Sequence, residues 1–167
     1  MNSNLAYIGL GSNLNNPLQQ VRSAIQQLAD EPAVNLHAVS RFYTSQPMGP
    51  QDQPDYVNAV IALNTSLAAH DLLQVLFKIE RQHGRERHQQ IRWGARTLDL
   101  DLLLYGDTQL HTPDLQIPHP GICQRAFVLL PLLDIAPTLS LPNGQGLTHC
   151  LQDLSQQDDV GWVYPLQ

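Results

Sequence analysis

Residues 97–105, TLDLDLLLY, alternate polar and apolar from Thr97 to Leu102, the period of two that marks a β-strand. One side carries Leu98, Leu100 and Leu102, and the other carries Thr97, Asp99 and Asp101. So apolar a face has to be buried, which commits the chain to a sheet covered on at least one side. The opposite face sets two carboxylates about 7 Å apart. Asp is disfavoured in strands, and a merely solvated face has no need of two among five leucines. Carboxylates so placed can hold one or two hard cations, and magnesium takes one or two carboxylates together with waters and substrate phosphates.

The neighbouring elements follow from the same patterns. Residues 5–10 read as a short buried strand. Asn15 or Asn16 caps a helix with Pro17 at its first position, and Leu18, Val21, Ile25 and Leu28 recur at helical spacing. Residues 34–43 read as one strand, and the proline-rich stretch 45–54 as a shaped loop. Residues 55–65 alternate again, with Tyr56 and Asn58 on one face and Val57, Ala59, Ile61 and Leu63 on the other. A helix is predicted over 69–83, closed by Gly84. Residues 85–96 read as an exposed polar loop and 112–121 as a second proline-ruled loop. A helix followed by a short helical turn is predicted over 122–136, then a turn at 142–144, a short helix near 147–154 and a final strand. The order β-α-β-β-α-β is the ferredoxin-like pattern. It predicts an α+β fold, an antiparallel sheet with helices packed on it, plus C-terminal additions.

Composition narrows the function. The net charge is −6, which argues against general binding to nucleic acid or an anionic membrane. Yet Lys78, Arg81, Arg85, Arg87, Arg92 and Arg96 are six of the nine basic residues. That local concentration, leading straight into the aspartate strand, suits a phosphorylated ligand. Arginine forks match phosphate oxygens while a metal neutralises them from the other side. Tyr56 beside Asn58 suits a flat heterocycle with hydrogen-bonding edges. Trp93, His119, Arg125 and Phe127 are candidates either for a site or for anchoring the loops that carry them. GLGSN after the first strand lacks the third glycine of a dinucleotide fingerprint, and no P-loop motif is present. Two isolated cysteines, Cys123 and Cys150, give neither a disulfide framework nor a zinc signature. With no apolar run near membrane length, a cytoplasmic location is expected. No surplus amphipathic helix asks for a partner, so a monomer is expected.

Several of these stretches together are diagnostic. AYIGLGSNL, FYTSQPMGPQDQPDYVNAV, IERQHGRER, RWGARTLDLDLLLYG, IPHPG and RAFVLLPLLDIAP span nearly the whole chain. The chain resembles the 6-hydroxymethyl-7,8-dihydropterin pyrophosphokinases of folate biosynthesis. The resemblance implies one pyrophosphokinase domain over 1–167 that moves pyrophosphate from ATP to the pterin hydroxymethyl group and releases AMP. It implies two magnesium ions on Asp99 and Asp101, and catalytic arginines at Arg85 and Arg96. Glu80, Arg87, Leu102, His119 and Arg125 match nucleotide-contacting positions. Tyr56 and Phe127 match the aromatic pair around the pterin, Asn58 the residue on its edge, Trp93 the residue that closes over it, and Ser45 and Met48 the loop that lines it. Ala95 stands where proline is common, Asp114 where some relatives have lysine, and Gly121 where a basic residue is common.

Two other classes fit less well. A non-catalytic nucleotide or pterin sensor would not need the paired aspartates. An RNA-recognition module would want exposed aromatics on a central strand, where this chain has two carboxylates.

Overall fold

A computed structural model of the chain describes residues 3–47, 53–84, 97–157 and 163–166. Its strands are β1 (Asn4–Ser12), β2 (Val34–Val39), β3 (Tyr43–Ser45), β4 (Tyr56–Thr65), β5 (Asp99–Tyr105), β6 (Leu110–His111), β7 (Gln116–Ile117) and β8 (Val163–Pro165). The helices are α1 (Pro17–Ala29), α2 (Ala69–Gln82), α3 (Ala126–Ile135) and α4 (Leu147–Ser155), with a 3₁₀ turn at Ile122–Gln124. The main sheet runs β5-β1-β4-β3-β8, and β2 also pairs with β4. The pairings are antiparallel, as the ferredoxin-like order predicts.

Alternation along β4 divides the core in two. Ala59, Ile61 and Leu63 face one cluster, which takes Val21, Ala24 and Leu28 from α1 and Leu72, Leu76 and Ile79 from α2. Val60 and Ala62 face the other, which takes Val128, Leu129 and Leu132 from α3 and Leu147, Cys150 and Leu154 from α4. The sheet therefore lies between two helical layers, and the C-terminal additions supply the second. Burying each large aliphatic side chain contributes about 1.5–3 kcal/mol. Removing one from the centre, as in Leu63→Ala, costs about 2–5 kcal/mol.

The leucine run of β5 serves both clusters through a bulge. Tyr7 pairs with Leu104 and Ile8 with Leu102, so Leu103 is skipped. Leu98, Leu100 and Leu102 join the α1/α2 cluster, while Leu103 and Leu104 join the α3/α4 cluster. A bulge inserts one residue and re-aims the side chains after it.

Several expectations are corrected. The predicted strand over 34–43 is broken: Ser40 Oγ accepts the Val60 N–H at 2.9 Å, in the place of a ladder carbonyl. Ser40 to Phe42 then oppose only Ala59 and Val60 before the ladder resumes at Tyr43. Asn16 starts α1 but makes no side-chain cap, because its φ of 65° is left-handed. The side chain of Gln20 instead donates to Asn15 O at 3.0 Å. The loop 112–121 contains β7, which pairs with β6. Over 122–136 the short turn precedes the helix, and Pro131 lies inside α3. That proline removes one internal hydrogen bond, and its burial beside Val128, Leu129 and Leu132 holds the helix together. Cys123 and Cys150 form a disulfide that ties the 3₁₀ turn to α4. Gly84 follows α2 with φ of 87° and donates to Arg81 O at 3.0 Å, as its predicted capping role requires.

Candidate functional site

The α3/α4 face of the sheet is apolar at one end and polar at the other. Tyr7, Val60, Ala62 and Leu104 lie under the two helices. Beyond them the strands carry Tyr56, Asn58, Asp99 and Asp101, and the register sets these in rows. Gly11 of β1 pairs with Asn58 on one side and Asp99 on the other. Gly9 pairs with Val60 and Asp101. Residues in register share a face, and each strand step is about 4.8 Å. Asn58 and Asp99 are therefore about 10 Å apart at their backbones, with only a glycine between them.

Asp99 and Asp101 are both half-buried. They share a face because the alternation that buries Leu98, Leu100 and Leu102 leaves them no other side. The bulge then completes their surroundings. Leu103, left without a partner on β1, accepts the His119 N–H at 2.9 Å, and this draws the segment after β7 back across β5. His119 Nε2 comes to 3.9 Å from Asp101 Oδ1, and its Nδ1 accepts the Gly121 N–H at 3.0 Å. Burial, reinforced by the positive charge of Arg125 and opposed by Asp99, pushes the His119 pKa down to about 4. The ring is neutral at pH 7, as its accepting Nδ1 requires.

Arg125 lies just before α3, with its guanidinium 6.0 Å from the Phe127 ring. A Cβ at Gly121 would come within 2.7 Å of Arg125 Nε, so the glycine leaves this arginine room to lie against the turn. Phe127, in the first turn of α3, packs on the second core cluster.

Glu80 ends up away from solvent. It is 2% exposed, and its Oε2 accepts the Leu100 N–H at 2.8 Å. Leu100 sits between the two aspartates, so α2 grips β5 at the centre of the carboxylate pair. Leu102 is buried, with its side chain on the α2 side of β5.

On β4, Asn58 is 3% exposed and donates from Nδ2 to Ser45 Oγ at 2.6 Å. That bond fixes the orientation of its carboxamide. Asn13, 1% exposed, donates from Nδ2 to Gln53 Oε1 and Pro54 O, both at 2.9 Å. It holds the segment entering β4, and hence Tyr56, against the end of β1.

A cavity of about 270 Å³ opens at the outer edge of β5. Leu73 and Phe77 of α2 and Leu100 and Leu102 form its apolar wall, and Asp101, Thr112, Asp114 and His119 lie on its polar side. Thr112 Oγ1 donates to Asp114 Oδ1 at 2.8 Å, which with the nearby His70 holds that carboxylate below its usual pKa. An apolar slot beside a carboxylate pair can take a flat ring whose charged tail turns toward the carboxylates.

The structure thus gathers Tyr56, Asn58, Asp99, Asp101, His119 and Arg125 around one end of the sheet, with Ser45 behind Asn58 and Glu80 behind Leu100. Met48, Arg85, Arg87, Trp93 and Arg96 lie outside the described residues. The sequence reading missed Asn13, Leu73 and Thr112. It noticed GLGSN but found no use for it, because the reason for Gly11 lies across the strands.

Comparison with known proteins adds a family. Residues 7–137 match the model of the family described as 7,8-dihydro-6-hydroxymethylpterin-pyrophosphokinase. The chain is 50% identical over 145 residues to the 2-amino-4-hydroxy-6-hydroxymethyldihydropteridine pyrophosphokinase of Pseudomonas aeruginosa, covering 87% of this chain and 88% of that one. It is 47% identical over 150 residues to the enzyme of the same name from Haemophilus influenzae, covering 90% and 92%. Among solved structures, it superposes on a Plasmodium falciparum HPPK-DHPS with pteroate at a TM-score of 0.70 and 12% identity. That match covers 91% of this chain but only 42% of the larger one, and it speaks for the fold alone.

Proposed function

The chain belongs to the 7,8-dihydro-6-hydroxymethylpterin-pyrophosphokinase family, and on that premise we propose that ATP is its donor and that its own residues divide the work as follows. The activity is pyrophosphoryl transfer to hydroxymethyldihydropterin, a step of folate biosynthesis. The pterin hydroxyl oxygen bonds to the β-phosphorus of ATP and gives up its proton to water, the bond from that phosphorus to the α–β bridging oxygen breaks, and AMP departs with that oxygen. The acceptor brings its own nucleophile, so no side chain need supply one.

The protein's task is to hold two anionic or polar partners in line and to tolerate the charge between them. Tyr56 and Phe127 hold the pterin ring, Asn58 reads its edge, and Ser45 and Met48 line that side. The cavity beside β5 takes the adenine, with Glu80, Arg87, Leu102, His119 and Arg125 around the nucleotide. Arg85 and Arg96 offset the developing charge on the phosphates, and Trp93 closes over the site.

Asp99 and Asp101 suit a pair of magnesium ions. They are hard oxygen donors on one face, and among the described residues no group of three or more His, Cys, Asp or Glu is placed to form a complete cage. Such a half-built site fits an ion that takes its other ligands from phosphates and water. When bound, magnesium would neutralise charge on the triphosphate oxygens.

The observation that carries this reading is the row Asn58–Gly11–Asp99, which puts the heterocycle-binding strand and the carboxylate strand on either side of one glycine. Calorimetric titration with a non-hydrolysable ATP analogue tests it. Binding is expected to need magnesium and to be lost in Asp99→Asn. Equally tight binding in a chelator would contradict the carboxylate assignment.

The same reading makes the protein a cytoplasmic monomer that binds small molecules and no nucleic acid. No helix among the described residues is long and apolar enough to cross a membrane. The disulfide points the other way, since such bonds are rare in a reducing cytosol.

A further inference from the structure

β1 places two glycines on the face of the candidate site, and they are glycine for different reasons. Neither has a positive φ, so backbone conformation demands neither. Gly9 is half-exposed, and a Cβ there would touch the Leu103 side chain at 3.5 Å, an ordinary contact. Gly11 is buried. A Cβ there would stand 3.3 Å from Asn58 Oδ1 and 3.6 Å from Tyr56 Cδ1. These are two of the side chains assigned to the pterin, and both pack beside the place where a side chain at 11 would be. A glycine inside a strand weakens it, so the empty place has a cost without a local benefit.

We propose that Gly11 is a positioning residue for the pterin. Its missing side chain leaves the Asn58 carboxamide and the Tyr56 ring room beside β1, the strand that separates them from Asp99, and so sets how near the acceptor hydroxyl comes to the phosphates. Asn58 has little freedom to yield, since it is 3% exposed and its Nδ2 is held by Ser45 Oγ at 2.6 Å. A methyl at position 11 therefore either shifts Oδ1 by a few tenths of an ångström or breaks the Ser45 bond. In both cases the pterin edge meets a displaced acceptor. The adenine cavity, on the far side of β5, is untouched. This inference rests on the reading of Tyr56 and Asn58 as the pterin-binding pair.

The test is Gly11→Ala, alone and in an Asn58→Ala background. Alanine is at least as good as glycine in a strand, so the single variant is expected to keep its melting temperature where Oδ1 shifts with the Ser45 bond intact, and to melt a few degrees lower where that buried bond breaks. Its KM for the pterin should rise about tenfold, because small misplacements of a reacting group cost rate steeply. The Kd of an ATP analogue should stay within about twofold. Where Asn58 is already alanine, adding Gly11→Ala should change the pterin KM by less than about twofold, because the atom it displaces is gone. An unchanged pterin KM in the single variant, equal losses for pterin and nucleotide, or full additivity in the double variant would each overturn the proposal. If the single variant folds poorly, the double variant, with the clash removed, must recover the melting temperature of Asn58→Ala, and failure to do so also overturns it. A wild-type protein that does not turn over the pterin defeats the functional reading itself. An active wild type with an indistinguishable Gly11→Ala defeats only the role of Gly11.

Discussion

The grip of Glu80 on β5 can be tested by removing it in two ways. Glu80→Ala leaves the Leu100 N–H without its acceptor in a buried place, which costs about 1–3 kcal/mol. It also deletes one buried side-chain methylene, worth about 0.8 kcal/mol. Relief from holding a buried carboxylate offsets part of this, so the net loss is about 2 kcal/mol. Glu80→Gln keeps the shape and one acceptor oxygen. A neutral acceptor is roughly half as strong as a charged one, so it should lose about 1 kcal/mol. Urea unfolding followed by circular dichroism reads both. With an m-value near 2 kcal/mol/M, the midpoint should fall by about 1 M for alanine and about 0.5 M for glutamine. Because Leu100 lies between Asp99 and Asp101, the alanine variant should also need more magnesium for half-maximal activity. A Glu80→Ala midpoint within about 0.2 M of wild type would refute the argument, as would a glutamine variant no better than alanine.

Asp99→Ala and Asp101→Ala are each expected to lower turnover at least about 10²-fold, the scale of losing one charge-stabilising group, with the circular-dichroism spectrum unchanged; a collapsed spectrum would assign them a structural role. Tyr56→Ala should weaken pterin binding more than nucleotide binding, and equal effects would contradict its stacking role. His119 has its pKa lowered by burial to about 4, so in metal-free protein its ring resonances should titrate near pH 4 by NMR. Protonation then favours the unfolded chain, and stability should fall as the pH drops from about 6.5 toward 4; a midpoint near 6.5 would refute its burial. Cys123 and Cys150 are 27 positions apart, and closing a loop of that size stabilises by about 3–4 kcal/mol on the chain-entropy account. Denatured, unreduced protein should show no free thiol, and reduction should lower the melting temperature. Two free thiols would restore the reading of the cysteines as unpaired.

The features legible in the sequence are those written as period and punctuation. The β5 alternation placed Asp99 and Asp101 on one face, and the β4 alternation placed Tyr56 and Asn58 together. Pro17 and Gly84 marked helix ends by their backbone limits. What stayed hidden depends on contacts between distant residues. Ser40 interrupts a strand because its hydroxyl meets Val60, and nothing near Ser40 announces that partner. The Leu103 bulge lies inside a run of three leucines, where period two is ambiguous. Pro131 reads as a boundary until α3 is seen to be held by its burial. The cysteine pairing is a matter of tertiary distance, and so is the place of Glu80 behind the aspartates. Arg85, Arg87 and Arg96 lie outside the described residues, so their assignment rests on resemblance.

The central claim is that this site attacks the β-phosphorus of ATP with a pterin hydroxyl. The most direct measurement mixes the purified protein with magnesium, ATP and 6-hydroxymethyl-7,8-dihydropterin and resolves the nucleotides by chromatography over time. AMP should accumulate in step with pterin diphosphate. ADP in its place would mean that the terminal phosphorus is attacked, and the account of the site would be wrong.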